Sequence, residues 1–195
     1  MDPVQAKTNT YNYLFYPLIA FGAFLSFSIL PWNESYPEWK WFNYHPLAMA
    51  FAFVPLSSIA VLLKKIGGYE NTKTHGILLS ISTFSSFFGL YVIYSNKELR
   101  HAKHFQTLHG KLGLLVMGSY FALMLFGSFA LHPDWGMAST KGNATLRLIH
   151  KWSGRFTMAL AWACVFTGYT TLKHDWLSQT AVAIPFLAFS YFILL

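Results

Sequence analysis

Charge is what this sequence has least of: Asp, Glu, Lys and Arg make up 11% of its 195 residues, against about 25% in soluble domains. Acidic residues are scarcer still, seven in all (Asp2, Glu34, Glu38, Glu70, Glu98, Asp134 and Asp175), and each is expected in a loop or in the tail. Proton pumps and many ion-coupled transporters place carboxylates within the bilayer, and here the apolar runs hold none. A single cysteine, Cys164, excludes an intrachain disulfide and a thiolate metal cluster. The net charge of +7 does not point to nucleic acid, because the basic residues sit in short segments flanking apolar runs, where membrane proteins hold them.

Hydrophobic side chains, by contrast, make up 54% of the chain and aromatic ones 19%. A helix crosses ~30 Å of hydrocarbon with about 20 apolar residues. Six runs have that character: Tyr13 to Leu30, His45 to Leu63, His75 to Tyr94, Leu108 to Leu131, Leu148 to Leu172 and Leu177 to Leu195. They leave no room for a separate soluble domain, so residues 1–195 are expected to form one all-α bundle of six transmembrane helices. The first run is longer than a secretory signal core and lacks a small-residue cleavage pattern, so it is expected to be retained. With six spans the termini share one side, which holds eight of the fourteen basic residues, and this favours cytosolic termini. The sequons at Asn33 and Asn143 would fall on opposite sides.

Four of the eight histidines open apolar spans, one each for spans two to five: His45, His75, His109 and His150. If the chain snakes up and down, His45 and His109 share one level and His75 and His150 share the other. Two bis-histidine hemes stacked across a bilayer require this arrangement, each iron taking one imidazole from each of two facing helices in a four-helix core. His109 is followed at i+4 by Gly113 and His150 by Gly154, so on each helix a glycine lies on the ligand face one turn deeper, leaving room for a flat macrocycle. The irons would lie of order 20 Å apart. With no carboxylate nearby, the second nitrogen of each ring must donate to a backbone carbonyl, a hydroxyl or water.

Arg155, five residues beyond His150, reads as a counter-ion to a heme propionate or as a snorkelling side chain; Lys111 reads as snorkelling. His101, His132 and His174 carry no signal. The alternative from another class is a non-redox six-helix transporter or channel whose histidines bind a metal or titrate. It is disfavoured because such ligands must converge on one ion, whereas these lie on two levels.

The pieces HPLAMAF at 45, HFQTLHGKLGL at 104 and IHKWSG at 150 resemble the cytochrome b-561 family of transmembrane ascorbate-dependent reductases, in its single-domain branch. The likeness runs over roughly residues 40 to 195, with the heme core at about 40–175. It implies two b-type hemes, held by His45 with His109 and by His75 with His150, and termini in the cytosol of a multi-pass endomembrane or plasma-membrane protein. It also implies electron transfer from cytosolic ascorbate to monodehydroascorbate or a ferric chelate on the opposite side. A homodimer is compatible with it.

Lys73 and Lys141 are then the candidate contacts for the anionic donor, with Lys64 and Lys65 on the same side. Glu70 departs from the family pattern, which places a basic residue about there. His104 matches the family's HFxxxHG histidine. Five residues from His109, it lies on another face and is the candidate to pass a proton at the acceptor end. The competing reading for His104 is a solvated loop residue.

Overall fold

The computed structural model describes residues 3–29 and 40–195, and every regular element among them is helical. Six rods follow one another: α1 (Pro3–Ile29), α2 (Trp41–Ile66), α3 (Tyr69–Leu99), α4 (Leu108–Leu131), α5 (Ala144–Leu172) and α6 (Trp176–Leu194). In hydrocarbon a backbone has no water to bond, so an apolar chain that crosses it satisfies its own amides as helix. Five rods are long and apolar enough to cross a membrane. The remaining one, α5, has the length at 29 residues, but Arg147, Lys151 and Arg155 near its start and a run of threonines near its end make it more polar. The chain is a multi-pass membrane protein.

Asn33, Glu34, Glu38 and Asp2 lie outside the described residues. The expectation that the remaining acidic residues fall in loops holds for Asp134 and Asp175 but not for Glu70 and Glu98, which sit in the end turns of α3. That helix begins six residues before His75 and continues past Tyr94, its first turns braced by Asn71, Thr72 and Thr74, whose side chains donate back to the carbonyls of Gly67, Gly68 and Glu70. It therefore emerges from the apolar zone at both ends.

Short connections reverse the chain. Gly67 and Gly68 join α2 to α3 with φ of 89° and 91°, a conformation that glycine adopts without steric cost. Thr107, Asn143 and Asp175 cap α4, α5 and α6, their side-chain oxygens accepting from the amides of Gly110, Leu146 and Ser178 at 3.1, 3.1 and 2.7 Å.

Midway along α2, residues Ala52–Leu56 widen into a π-helical turn containing Pro55, which has no amide hydrogen to donate. The carbonyl of Ala52 accepts from the hydroxyls of Ser57 and Ser82 at 2.7 and 2.8 Å as well as from the Ser57 amide. The Tyr120 hydroxyl meets the same two serines at 2.6 and 2.8 Å, so one buried cluster ties α2, α3 and α4 together. Gly22 of α1 lets Pro55 approach: a Cβ there would come within 2.6 Å of the ring Cδ. Outside this junction, Leu18, Phe21 and Leu25 of α1 pack with Val54, Trp162, Val182 and Phe186. Thus α1 and α6 buttress one flank, while α2 to α5 carry the four histidines.

Candidate heme sites

Contacts between the rods set the levels. His45, early in α2, lies beside Gly89, late in α3, and His75, early in α3, lies beside Ala60, late in α2, so these two rods are antiparallel. By the same argument α4 and α5 are antiparallel, since His109 meets Cys164 and Gly168 while His150 meets Gly127. The rings of His45 and His109 face each other with centroids 6.1 Å apart and planes at 82°. His75 and His150 lie at the other end, since Gly76 abuts His132, just past α4, and Gly127, late in α4, abuts His150. The structure therefore brings His45 and His109 face to face and sets His75 and His150 at the opposite end of the bundle. Among the described residues no three His, Cys, Asp or Glu side chains gather where they could hold one ion.

Three of the four rings are oriented by backbone. Nδ1 of His45 bonds the carbonyl of Gly89 at 2.9 Å, Nδ1 of His75 that of Ala60 at 2.8 Å, and Nδ1 of His109 that of Cys164 at 3.0 Å. A neutral imidazole that donates from Nδ1 keeps Nε2 as a lone-pair ligand. The pattern repeats between the two hairpins: Gly89 lies 14 residues after His75, and Cys164 lies 14 after His150. Ala60 lies 15 after His45, so its counterpart after His109 is Met124. There the repeat breaks, because α4 passes into the π-helical turn Gly127–Leu131 and the Met124 carbonyl accepts from Gly127. Nδ1 of His150 is left buried without a partner.

Do these residues fit a bis-histidine heme? Two imidazoles on one metal at ~2 Å from nitrogen to metal have ring centres about 6 Å apart, which the first pair matches. A cavity of about 300 Å³ opens between these rings, walled by Met49, Phe53, Gly113, Met117, Cys164 and Gly168 among others. A Cβ on Gly168 would come within 2.8 Å of Cε1 of His109, and one on Gly127 within 3.1 Å of Cε1 of His150, so both rings pack against bare backbone. Gly113 faces the Cys164 sulfur, whereas a Cβ on Gly154 would meet nothing within 4 Å. At the His45/His109 level the donor set and the space fit the group.

Around these pairs the structure supplies partners that sequence reasoning missed. His104 is not a freely solvated loop residue: it stacks on Tyr94 with centroids 4.3 Å apart, and its Nε2 bonds Oε1 of Glu98 at 2.6 Å. It lines the same cavity as His45 and His109. At the other end Lys73 is paired with Asp134 at 3.3 Å, and the Tyr69 hydroxyl donates to the same carboxylate. These interactions hold the Asp134 carboxyl below the usual carboxylate range, the hydrogen bond from Tyr69 foremost. Lys141 Nζ donates to the Pro133 carbonyl at 3.4 Å. Arg155 lies 4.8 Å over the Trp152 ring and donates to the Leu195 carbonyl at 2.6 Å, while Lys111 is exposed. Glu98 and Asp134 are invisible as partners in the sequence because one is six residues from His104 and the other is sixty-one from Lys73.

A family model described as eukaryotic cytochrome b561 matches residues 44–175. The chain is 23% identical over 135 residues to a plasma membrane ascorbate-dependent reductase of Rattus norvegicus, a match covering 66% of this chain and 46% of that protein. It is 26% identical over 169 residues to a transmembrane reductase of Bos taurus, covering 80% and 72%. It is 31% identical over 97 residues to a transmembrane ascorbate-dependent reductase of Ovis aries, covering 47% and 38%. The chain thus spans less than half the length of the rat and sheep relatives.

Proposed function

The chain belongs to the eukaryotic cytochrome b561 family, and from that premise we propose that it moves electrons across the membrane through two b-type hemes. His45 and His109 hold one iron, and His75 and His150 hold the other. The donor is ascorbate, taken up at the His75/His150 end, and the acceptor is monodehydroascorbate or a ferric chelate at the opposite end. We place the donor end and the termini in the cytosol, with the protein in an endomembrane or the plasma membrane. The observation that carries the reading is the facing of His45 and His109 at 6.1 Å, both with Nδ1 turned to backbone carbonyls.

Bound heme supplies a one-electron iron couple; the chain supplies the rest. Backbone carbonyls fix three of the four imidazoles in the tautomer that leaves Nε2 toward the metal. Gly113 and Gly154 leave room for a flat ring one turn beyond their histidines. Lys73 and Lys141 attract the ascorbate monoanion by charge. At the acceptor end His104 holds a proton against Glu98, within the cavity that His45 and His109 share, where an acceptor radical can take it. Arg155 balances negative charge near the His75/His150 level.

The test is a visible spectrum of the detergent-purified protein before and after ascorbate, with heme counted per chain by pyridine hemochrome. Two b-type hemes with α-band absorbance rising on ascorbate are expected. A colourless protein would overturn the electron-transfer reading, and a coloured one that ascorbate leaves oxidised would overturn the donor.

A further inference from the structure

His132, just beyond the end of α4, has no place in the scheme above, yet its side chain is built into a second cavity. It is 5% exposed, and its ring stacks on Trp135 with centroids 3.4 Å apart and planes 7° from parallel. Nδ1 accepts from the Asp134 amide at 3.2 Å, so the neutral ring carries its hydrogen on Nε2. That Nε2 is buried without a hydrogen-bond partner among the described residues, an arrangement that costs stability unless something accepts from it. It faces Gly76, 3.7 Å from where a Cβ would stand, across a cavity of about 200 Å³ that Ser80 and Ser128 also line.

We propose that this cavity binds a lipid-soluble ring bearing a carbonyl acceptor, a molecule of the quinone class, with Nε2–H of His132 donating to the carbonyl oxygen. The donor calls for an acceptor. A cavity below the ~300–1,000 Å³ of drug-sized sites admits one ring rather than a headgroup with its chains. Its remaining wall, Ile77, Ile81 and Phe84, is exposed on α3, so an apolar tail leaves along the bilayer-facing surface. The described residues lining it include no lysine or arginine, which favours a neutral ring over a phosphate. Gly76 follows His75 in sequence and Ser128 follows Gly127, which abuts His150, so the bound ring lies beside the second histidine pair. Binding itself does not depend on those histidines holding heme.

The full chain in lipid nanodiscs, illuminated with an azido-substituted short-chain benzoquinone, tests this. Label is expected on the segments 76–84 and 128–135, displaced by unlabelled decyl-benzoquinone. It should fall about tenfold in His132→Leu and survive in His132→Gln, whose amide keeps a donor. Ser80→Leu narrows the cavity from another wall and should reduce the label equally, which decides the matter if His132→Leu does not fold. Label that neither leucine variant reduces, or that unlabelled quinone cannot displace, would overturn the proposal and mark nonspecific contact from the lipid face.

Discussion

Gly168 of α5 stands so close to the imidazole of His109 that a Cβ on it would come within 2.8 Å of Cε1. The Cys164 carbonyl, one turn earlier on the same helix, holds the ring at Nδ1 at 3.0 Å, so the ring cannot move away from Gly168 without losing that bond. Gly168→Ala is therefore expected to destabilise the protein by about 1–3 kcal/mol, the usual range for overpacking, and to lower heme content to about one per chain. Gly118→Ala should cost no stability and leave heme content unchanged, since its Cβ meets nothing within 4 Å and alanine favours the helix. Thermal unfolding and hemochrome assays on the two variants check the contrast.

The two levels are separable by mutation. His109→Ala should remove one heme and leave the other, while His75→Ala should remove the other and spare the first. Loss of both from either change, with helicity intact by circular dichroism, would contradict independent pairs. Absorbance at the α-band of each variant is the readout.

Tyr120 closes the hydroxyl cluster at the π-helical break, between the two histidine levels. In Tyr120→Phe, Ser57 and Ser82 still donate to the Ala52 carbonyl, so no donor is orphaned and the cost should be about 1 kcal/mol. Ser57→Val should cost more, because it removes one of the donors to that carbonyl and adds a branched side chain in a fully buried site. Midpoints of chemical or thermal unfolding distinguish the two.

Asp134 neutralises Lys73 at the proposed donor end. Asp134→Asn is expected to free that ammonium and lower the KM for ascorbate about two- to fivefold, and Lys73→Ala to raise it by a similar factor, as removal or addition of one nearby charge does. Because the Asp134 carboxyl titrates below the ordinary range, its ion pair stays formed at neutral pH. The stability it contributes should be lost only as pH falls below about 4 and through the lowered value. Steady-state ascorbate oxidation with ionic strength held constant measures the first effect, and acid unfolding of wild type against Asp134→Asn measures the second.

The six helices, their order and the meeting of His45 with His109 were legible in the sequence. Apolar length and the absence of intramembrane carboxylates are local properties, and alternation of direction assigns His45 and His109 to one level without further information. Its arginines and threonines dilute the apolarity of α5, yet the run Leu148 to Leu172 within it still marked it as a span. Extension of α3 past its apolar run was not legible, because hydropathy stops there while side-chain bonds back to the backbone carry the helix on into water.

Tertiary structure alone decided what the side chains touch. Sequence required only that each Nδ1 find a backbone carbonyl, hydroxyl or water; the fold chose Gly89, Ala60 and Cys164 and left His150 without one, through a π-helical turn that residue order does not announce. The pairs His104 with Glu98 and Lys73 with Asp134, and the burial of His132 against Trp135, arise from loops folding back over helix ends. The separation is physical: burial of apolar length in a bilayer is summed along the chain, whereas a hydrogen bond depends on a few tenths of an ångström between segments far apart in it.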